Sequence, residues 1–206
     1  MNRSDSTPSR FMLWIDGVGG YLVCEGPTVT LGQPAPDAEG DVPIMADISR
    51  RHAAVRRDGE FYLFEPYRPC RYGDRAIGYP VRLADDSTFA LGGAAGSGPR
   101  LRFTTPNPCG RTARLEVVSR HRLQPHADAV LLLADTCLIG PETANHVVAR
   151  GWRRRLIVHR RPDGGLVFRT EGSYDVDGRP ASGTSRIERT SQVRGPDFAL
   201  RFEPLP

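Results

Sequence analysis

An all-β fold is predicted by two features of the 206-residue sequence and by their repetition. Gly 22 and Pro 18 are high counts for a helical chain, and no stretch longer than a few residues holds an apolar period of about 3.6. Instead, short apolar runs alternate with turn residues, the pattern of many short strands. The same order of landmarks then occurs twice, so the expected architecture is two tandem β domains.

Composition sets the wider frame. With 39% hydrophobic and 25% charged residues the chain has the make-up of an ordinary globular protein, and its length suits two domains of about 100 residues each. The formal charge is +4, and all 28 basic residues are arginine. Such usage has two sources, codon bias in a GC-rich genome and recognition of phosphate by forked guanidinium groups. No basic run carries interleaved aromatics, so no nucleic-acid partner is expected. Cys24, Cys70, Cys109 and Cys137 lack C-x-x-C spacing. They read as free thiols of a reducing compartment, with no metal cluster and no cofactor. No apolar run approaches the ~18 residues of a membrane span, and no signal-peptide pattern is present. The expectation is a cytoplasmic protein with no membrane partner.

Taken in order, residues 1–10 are polar and Ser-rich and are expected to be a disordered tail. Phe11 to Ile15 and Tyr21 to Glu25 read as strands around Asp16-Gly17-Val18-Gly19-Gly20. Neither Lys-Ser/Thr nor a helix follows those glycines, so they form a hairpin turn rather than a phosphate cradle. Val29 to Gly32 is a strand ending in glycine, and Gln33 to Val42 a proline-interrupted loop. After Ile44 comes Asp47-Ile48-Ser49-Arg50-Arg51-His52-Ala53-Ala54-Val55. Asp58-Gly59 then joins it to Phe61-Tyr62-Leu63-Phe64, and Asp-Gly between apolar runs marks a hairpin. Arg68, Arg71 and Arg75 follow on a loop or edge. Val81 to Leu83, an acidic turn at Asp85-Asp86, the strand Thr88 to Leu91, a flexible Gly92 to Gly98 and the strand Arg100 to Phe103 complete the first domain, residues 11–104. Residues 105–112 are proline-rich and read as a linker to a second domain, residues 113–206.

The second half repeats the first. Leu115 to Val118 and Ala129 to Ala134 are its opening strands, and Cys137-Leu138-Ile139-Gly140 matches Thr30-Leu31-Gly32. Trp152-Arg153-Arg154-Arg155 falls where Ser49-Arg50-Arg51-His52 fell. Asp163-Gly164 with Leu166-Val167-Phe168 repeats the hairpin, Asp177-Gly178-Arg179 parallels Gly73-Asp74-Arg75, and Leu200-Arg201-Phe202 closes as Leu101-Arg102-Phe103 did.

The chemistry concentrates at Ser49. A serine beside two arginines, on a loop that enters a sheet, offers one hydroxyl and two guanidinium groups to a small anion, and phosphate fits that set. In the second half tryptophan stands in place of the serine. Trp152 is either core or an interaction hot spot, and Arg153 to Arg155 offer charge to an acidic partner. Ser119-Arg120-His121-Arg122 looks like the first motif but falls at the opening hairpin of the second half, and reads as an exposed basic turn.

The order of an early strand ending in glycine, Ser49-Arg50-Arg51-His52 entering a strand, a hairpin, and Asp85-Asp86 before Leu91-Gly92 resembles the forkhead-associated (FHA) domain. The resemblance covers Phe11 to Phe103 well and Leu115 to Phe202 in degenerate form. It implies two FHA-like β-sandwiches and a phosphothreonine-peptide pocket on loops at one end of the first. It assigns Ser49 and Arg50 to the phosphate, and Gly32 and His52 to support of the loop. Two departures stand out. Gln33 replaces the arginine of the family's Gly-Arg pair, and Glu65-Pro66-Tyr67-Arg68-Pro69 replaces its Asn-Gly. Arg51 belongs to the same basic loop, and Arg68 or Arg71 would restore the missing charge.

The expected function is a non-enzymatic, phosphothreonine-dependent protein-binding module of Ser/Thr kinase signalling. The alternative is a phosphate-independent scaffold or assembly module, favoured by Gln33 and the missing Asn-Gly. An enzyme ranks last, because neither G-x-S-x-G nor H-E-x-x-H occurs.

Overall fold

The computed structural model describes residues 10–35, 40–92 and 98–205. Among these, regular structure is all β-strand, and no helix is long and apolar enough to cross a membrane. The first half forms β1 (Arg10–Ile15), β2 (Gly19–Cys24), β3 (Thr28–Gly32), β4 (Val42–Pro43), β5 (Ala53–Asp58), β6 (Phe61–Pro66), β7 (Cys70–Tyr72), β8 (Arg75–Ile77), β9 (Val81–Arg82), β10 (Ser87–Leu91) and β11 (Arg100–Thr104). The second forms β12 (Ala113–Val117), β13 (Ala129–Leu132), β14 (Thr136–Gly140), β15 (Val147–Val148), β16 (Leu156–Arg160), β17 (Leu166–Val176), β18 (Arg179–Ile187), β19 (Gln192–Arg194) and β20 (Ala199–Pro204).

The two halves repeat their pairings as well as their landmarks. β3 lies parallel to β4 and antiparallel to β5, which pairs β6; β14 lies parallel to β15 and antiparallel to β16, which pairs β17. In the first half β4-β3-β5-β6-β9 make a five-stranded sheet that packs on a larger sheet carrying β10 and β11. Val29, Leu31, Val55 and Phe64 of the smaller sheet meet Phe89, Leu101 and Phe103 of the larger one in a single core, the construction of a β-sandwich. In the second half β17 is one continuous strand that serves both layers. It pairs β16 near its start and β19 near its end, with a register shift against β18 between Arg169 and Ser173.

The closing strands depart from two separately folded domains. β11 pairs with β12, the opening strand of the second half, while β20 pairs with β1, the opening strand of the first. The opening hairpins are thus exchanged, and β2 joins β13 in parallel between them. Both faces of β1, β2 and β13 are consequently buried. Met12, Leu22 and Cys24 enter one core and Phe11, Leu13, Tyr21 and Val23 the other, as do Val130 and Leu132 against Ala129 and Leu131. Strands covered on both sides read as unbroken apolar runs, which is what Phe11-Met12-Leu13-Trp14-Ile15 and Ala129-Val130-Leu131-Leu132-Leu133-Ala134 are. Glu25, 2% exposed, adds a polar tie: Arg189 of the second half donates to its carboxylate at 2.8 and 2.9 Å, and Arg160 lies at 3.5 Å.

Three expectations change in consequence. Residues 105–112 join two strands that pair with each other, and Thr112 is fully buried, so they are an intra-sheet connection rather than a spacer between domains. A division at 104/113 would cut through both sandwiches. Arg10, placed in the tail by its polar neighbours, opens β1 and donates to the Gly40 carbonyl at 2.9 Å. The rest of that tail and the centre of Gly92 to Gly98 lie outside the described residues. Cys24, Cys70 and Cys137 are free thiols inside the cores, where burial raises their pKa, to about 11 for Cys70 and about 12 for Cys137. They behave there as small apolar groups.

Candidate functional site

The loop from β4 to β5 carries Ser49 and is held from below by main-chain groups. Gly32, at the end of β3, lies against it so closely that a Cβ would fall 1.7 Å from the Arg50 carbonyl oxygen. No residue but glycine lets the loop close on the strand. The Gln33 amide donates to the Ser49 carbonyl at 3.2 Å, and the Ile44 amide to that of Gly32 at 2.7 Å.

His52 is the strut of the site. It is 6% exposed, its amide donates to the Leu31 carbonyl at 2.9 Å, and its carbonyl accepts the amides of Tyr67 and Arg68 at 3.0 and 3.1 Å. The Ser49 amide donates to its Nδ1 at 3.3 Å. That leaves Nε2 to carry the proton and donate to the Pro69 carbonyl at 3.1 Å. Burial holds the imidazole below its ordinary pKa; the bond to Pro69 works the other way, and the positive charge of Arg68 lowers it further. The ring is therefore neutral near pH 7, and both its nitrogens are spent on tying the Ser49 loop to the loop after β6.

What this scaffold presents is an uncommitted set of donors. Ser49 is half-buried, and its hydroxyl has no partner among the described residues. Arg50 and Arg68 are exposed on the two joined loops, their guanidinium groups likewise without partners there. Arg51 lies over the Tyr67 ring, 5.9 Å from its centroid, a stacking contact that braces the same two loops. A hydroxyl and two free guanidinium groups suit a tetrahedral oxyanion.

Of the residues singled out from sequence, the structure gathers Gly32, Gln33, Ser49, Arg50, Arg51, His52 and Arg68 around this loop. Gln33 enters through its main chain. Arg71 does not join them: its guanidinium donates to the Asp74 carbonyl in the β7–β8 turn and is committed to its own hairpin. Two contributors escaped the sequence reading, the Pro69 carbonyl and the Tyr67 ring. A carbonyl acceptor leaves no side-chain signal. Tyr67, an aromatic next to Arg68 on a turn, was legible as a stacking surface.

The corresponding apex of the second half is built differently. Leu31 pairs Ala53 as Ile139 pairs Leu156, so Arg155 occupies the chain position of His52. The loop before it is two residues shorter than its counterpart. Trp152 is 8% exposed and packs on Phe198 at 5.8 Å between ring centroids. It is core, buried to the same degree as Ile48 of the first half. The Arg155 carbonyl accepts the Thr170 hydroxyl at 3.2 Å, so the loop is again tied through the carbonyl at this position, here to β17. Ser119 and His121 are joined at 2.9 Å in the β12–β13 connection, where Ser119 also accepts the Arg100 amide.

No protein-family model matches this chain, and no curated protein matches it in sequence. Among solved structures it is similar to a chain described as "Rv0020c_FHA Structure", at 24% identity and a TM-score of 0.28, over 44% of this chain and 91% of that one.

Proposed function

We propose that the protein is a non-enzymatic reader of threonine-phosphorylated proteins, acting through the Ser49 loop. The observation that carries this reading is the support given to a set of free donors. Gly32 and His52 fix the loop from beneath, and Ser49, Arg50 and Arg68 face solvent without partners among the described residues. Ser49 donates its hydroxyl to a phosphate oxygen, Arg50 supplies a charge-assisted bond, and Arg68 takes the place of the arginine lost at Gln33. Charge-assisted hydrogen bonds of this kind are worth about 1.5–3 kcal/mol each. The partner is a substrate of a Ser/Thr kinase, met in the cytoplasm, and no metal or cofactor takes part.

The test is binding to a degenerate phosphothreonine peptide library, with unphosphorylated and phosphoserine controls, for the wild type, Ser49→Ala and Arg68→Ala. Phosphothreonine-selective binding that disappears in Ser49→Ala and weakens roughly tenfold in Arg68→Ala is expected. Equal binding of all peptides, unchanged by Ser49→Ala, would sink the reading in favour of a phosphate-independent scaffold, the role that Gln33 favours.

A further inference from the structure

A second group of arginines lies at the apex of the second half, around a cleft of about 780 Å³ lined by Arg153, Arg154, Arg155, Arg169, Thr170 and Ser182. It owes its shape to the irregularity in β17. Between Arg169 and Ser173 the strand slips against β18, so the chain bulges at Thr170-Glu171-Gly172, and Gly172 and Gly183 take positive φ of 79° and 65°. Bulges of this kind bend a strand and re-aim its side chains. Here the bulge is clipped to the arginine loop from both sides. Arg154 donates to the Glu171 carbonyl at 2.7 Å, and Thr170 donates to the Arg155 carbonyl at 3.2 Å.

The arginines divide into two kinds. Arg154 is also paired with Asp197 at 3.3 Å, and Arg155 with Glu142; these two are part of the wall. Arg153 and Arg169 are exposed, and their guanidinium groups have no partner among the described residues. Glu171 at the rim forms no ion pair with any of them among those residues. A rigid cleft with two unspent forked cations is a site for clustered anionic oxygens.

We propose that this cleft binds an anionic peptide segment, one that carries adjacent carboxylates or a phosphate, independently of the Ser49 loop. A polypeptide fits better than a nucleic acid for two reasons. No aromatic side chain lines the cleft to stack a base. Ser182 and Gly183 belong to β18, which among the described residues pairs only with β17, and an edge strand offers main-chain groups that an extended peptide can use. Arg153 and Arg169 supply the charge, and the clips at Arg154 and Thr170 hold the backbone that carries them.

The experiment uses the full chain and fluorescence anisotropy at low and near-physiological salt. The probes are a labelled Asp-rich peptide, the same peptide with phosphoserine for one Asp, its Asn analogue, and a labelled oligouridine. The proteins are the wild type, Arg153→Ala with Arg169→Ala, Arg153→Lys with Arg169→Lys, and Ser49→Ala. Both acidic peptides should bind in preference to the Asn analogue, and the double alanine variant should lose roughly tenfold or more. The double lysine variant should keep most of the binding, and Ser49→Ala should keep binding of the unphosphorylated Asp-rich peptide. No binding of the acidic peptides at low salt, equal binding by the double alanine variant, or tighter binding of oligouridine overturns the proposal. Loss in Ser49→Ala with retention in the double alanine variant assigns the anion to the first site and overturns it too.

Discussion

The two apical loops of this protein sit at matching points of a repeated pairing scheme and solve one problem with opposite chemistry. In the first half the loop is held by a neutral, buried imidazole, and Arg50 and Arg68 have no partner among the described residues. In the second half the loop is shorter, Trp152 anchors it in the core, and Arg154 and Arg155 are spent on Asp197 and Glu142. The difference teaches that whether a basic motif keeps unpaired charges depends on what else holds its loop. Buried His52 takes over the tethering, whereas in the second half arginines do that work and two others remain available.

The largest effect should come from the shared hairpin. Glu25 belongs to the first half but neutralises Arg189 and Arg160 of the second. Removing one partner of a buried ion pair is costly, so Glu25→Ala should lower stability by about 3–5 kcal/mol. Urea unfolding measures it, and a loss below about 1 kcal/mol would show that the hairpins are not bound across the halves in this way.

Next in size is the contrast between two glycines. A Cβ at Gly32 would strike the Arg50 carbonyl at 1.7 Å, while at Gly140 the nearest atoms lie at 3.1–3.3 Å. Gly32→Val should cost about 3 kcal/mol through overpacking and displace the Ser49 loop. Gly140→Ala should cost about 1 kcal/mol or less, because its neighbours need give by only tenths of an ångström. Chemical denaturation of both variants, with exchange of the Ser49 amide, checks the pair.

Acid should affect both halves through histidine. His146, fully buried, accepts the Leu138 amide at Nδ1 and has its pKa lowered to about 4 by burial; His52 shifts in the same direction. The unfolded chain takes up a proton near pH 6.5 that the folded one refuses. Stability from these groups is therefore complete above about pH 6.5 and is lost as pH falls towards 4, on the order of 2–3 kcal/mol for His146. Unfolding followed across that range should show the decline, and His146→Gln should flatten it.

The smallest effect separates the two loop anchors. His52→Ala leaves the Ser49 amide and the Pro69 carbonyl without their ring partner and should cost about 2 kcal/mol. Arg155→Ala breaks an exposed ion pair and should cost under about 0.5 kcal/mol. Equal losses would mean that the tethering is not divided as described.

Much of this is legible in the sequence. Strand positions followed from short apolar runs and Asp-Gly turns, because period and turn chemistry are local. Ser49 and Arg50 stand out in the sequence because their residue types carry the chemistry themselves, and Gly32 and His52 through the resemblance. Arg71 was misplaced because spacing on a short strand does not say which carbonyl a long side chain will reach. Arg169 and Thr170 were missed, although they follow Phe168 directly after the repeated hairpin, because the bulge that aims them has no composition of its own.

The sequence by itself determined the all-β class, the internal repeat and the serine-arginine loop, since each rests on neighbours within a few residues. Only the tertiary structure decided which opening hairpin closes which sandwich. β1 and β12 are both short opening strands, and local rules do not say which of them pairs with β11 and which with β20. The choice is made by burial of both hairpin faces and by the Glu25 tie to Arg189, interactions between residues far apart in the chain.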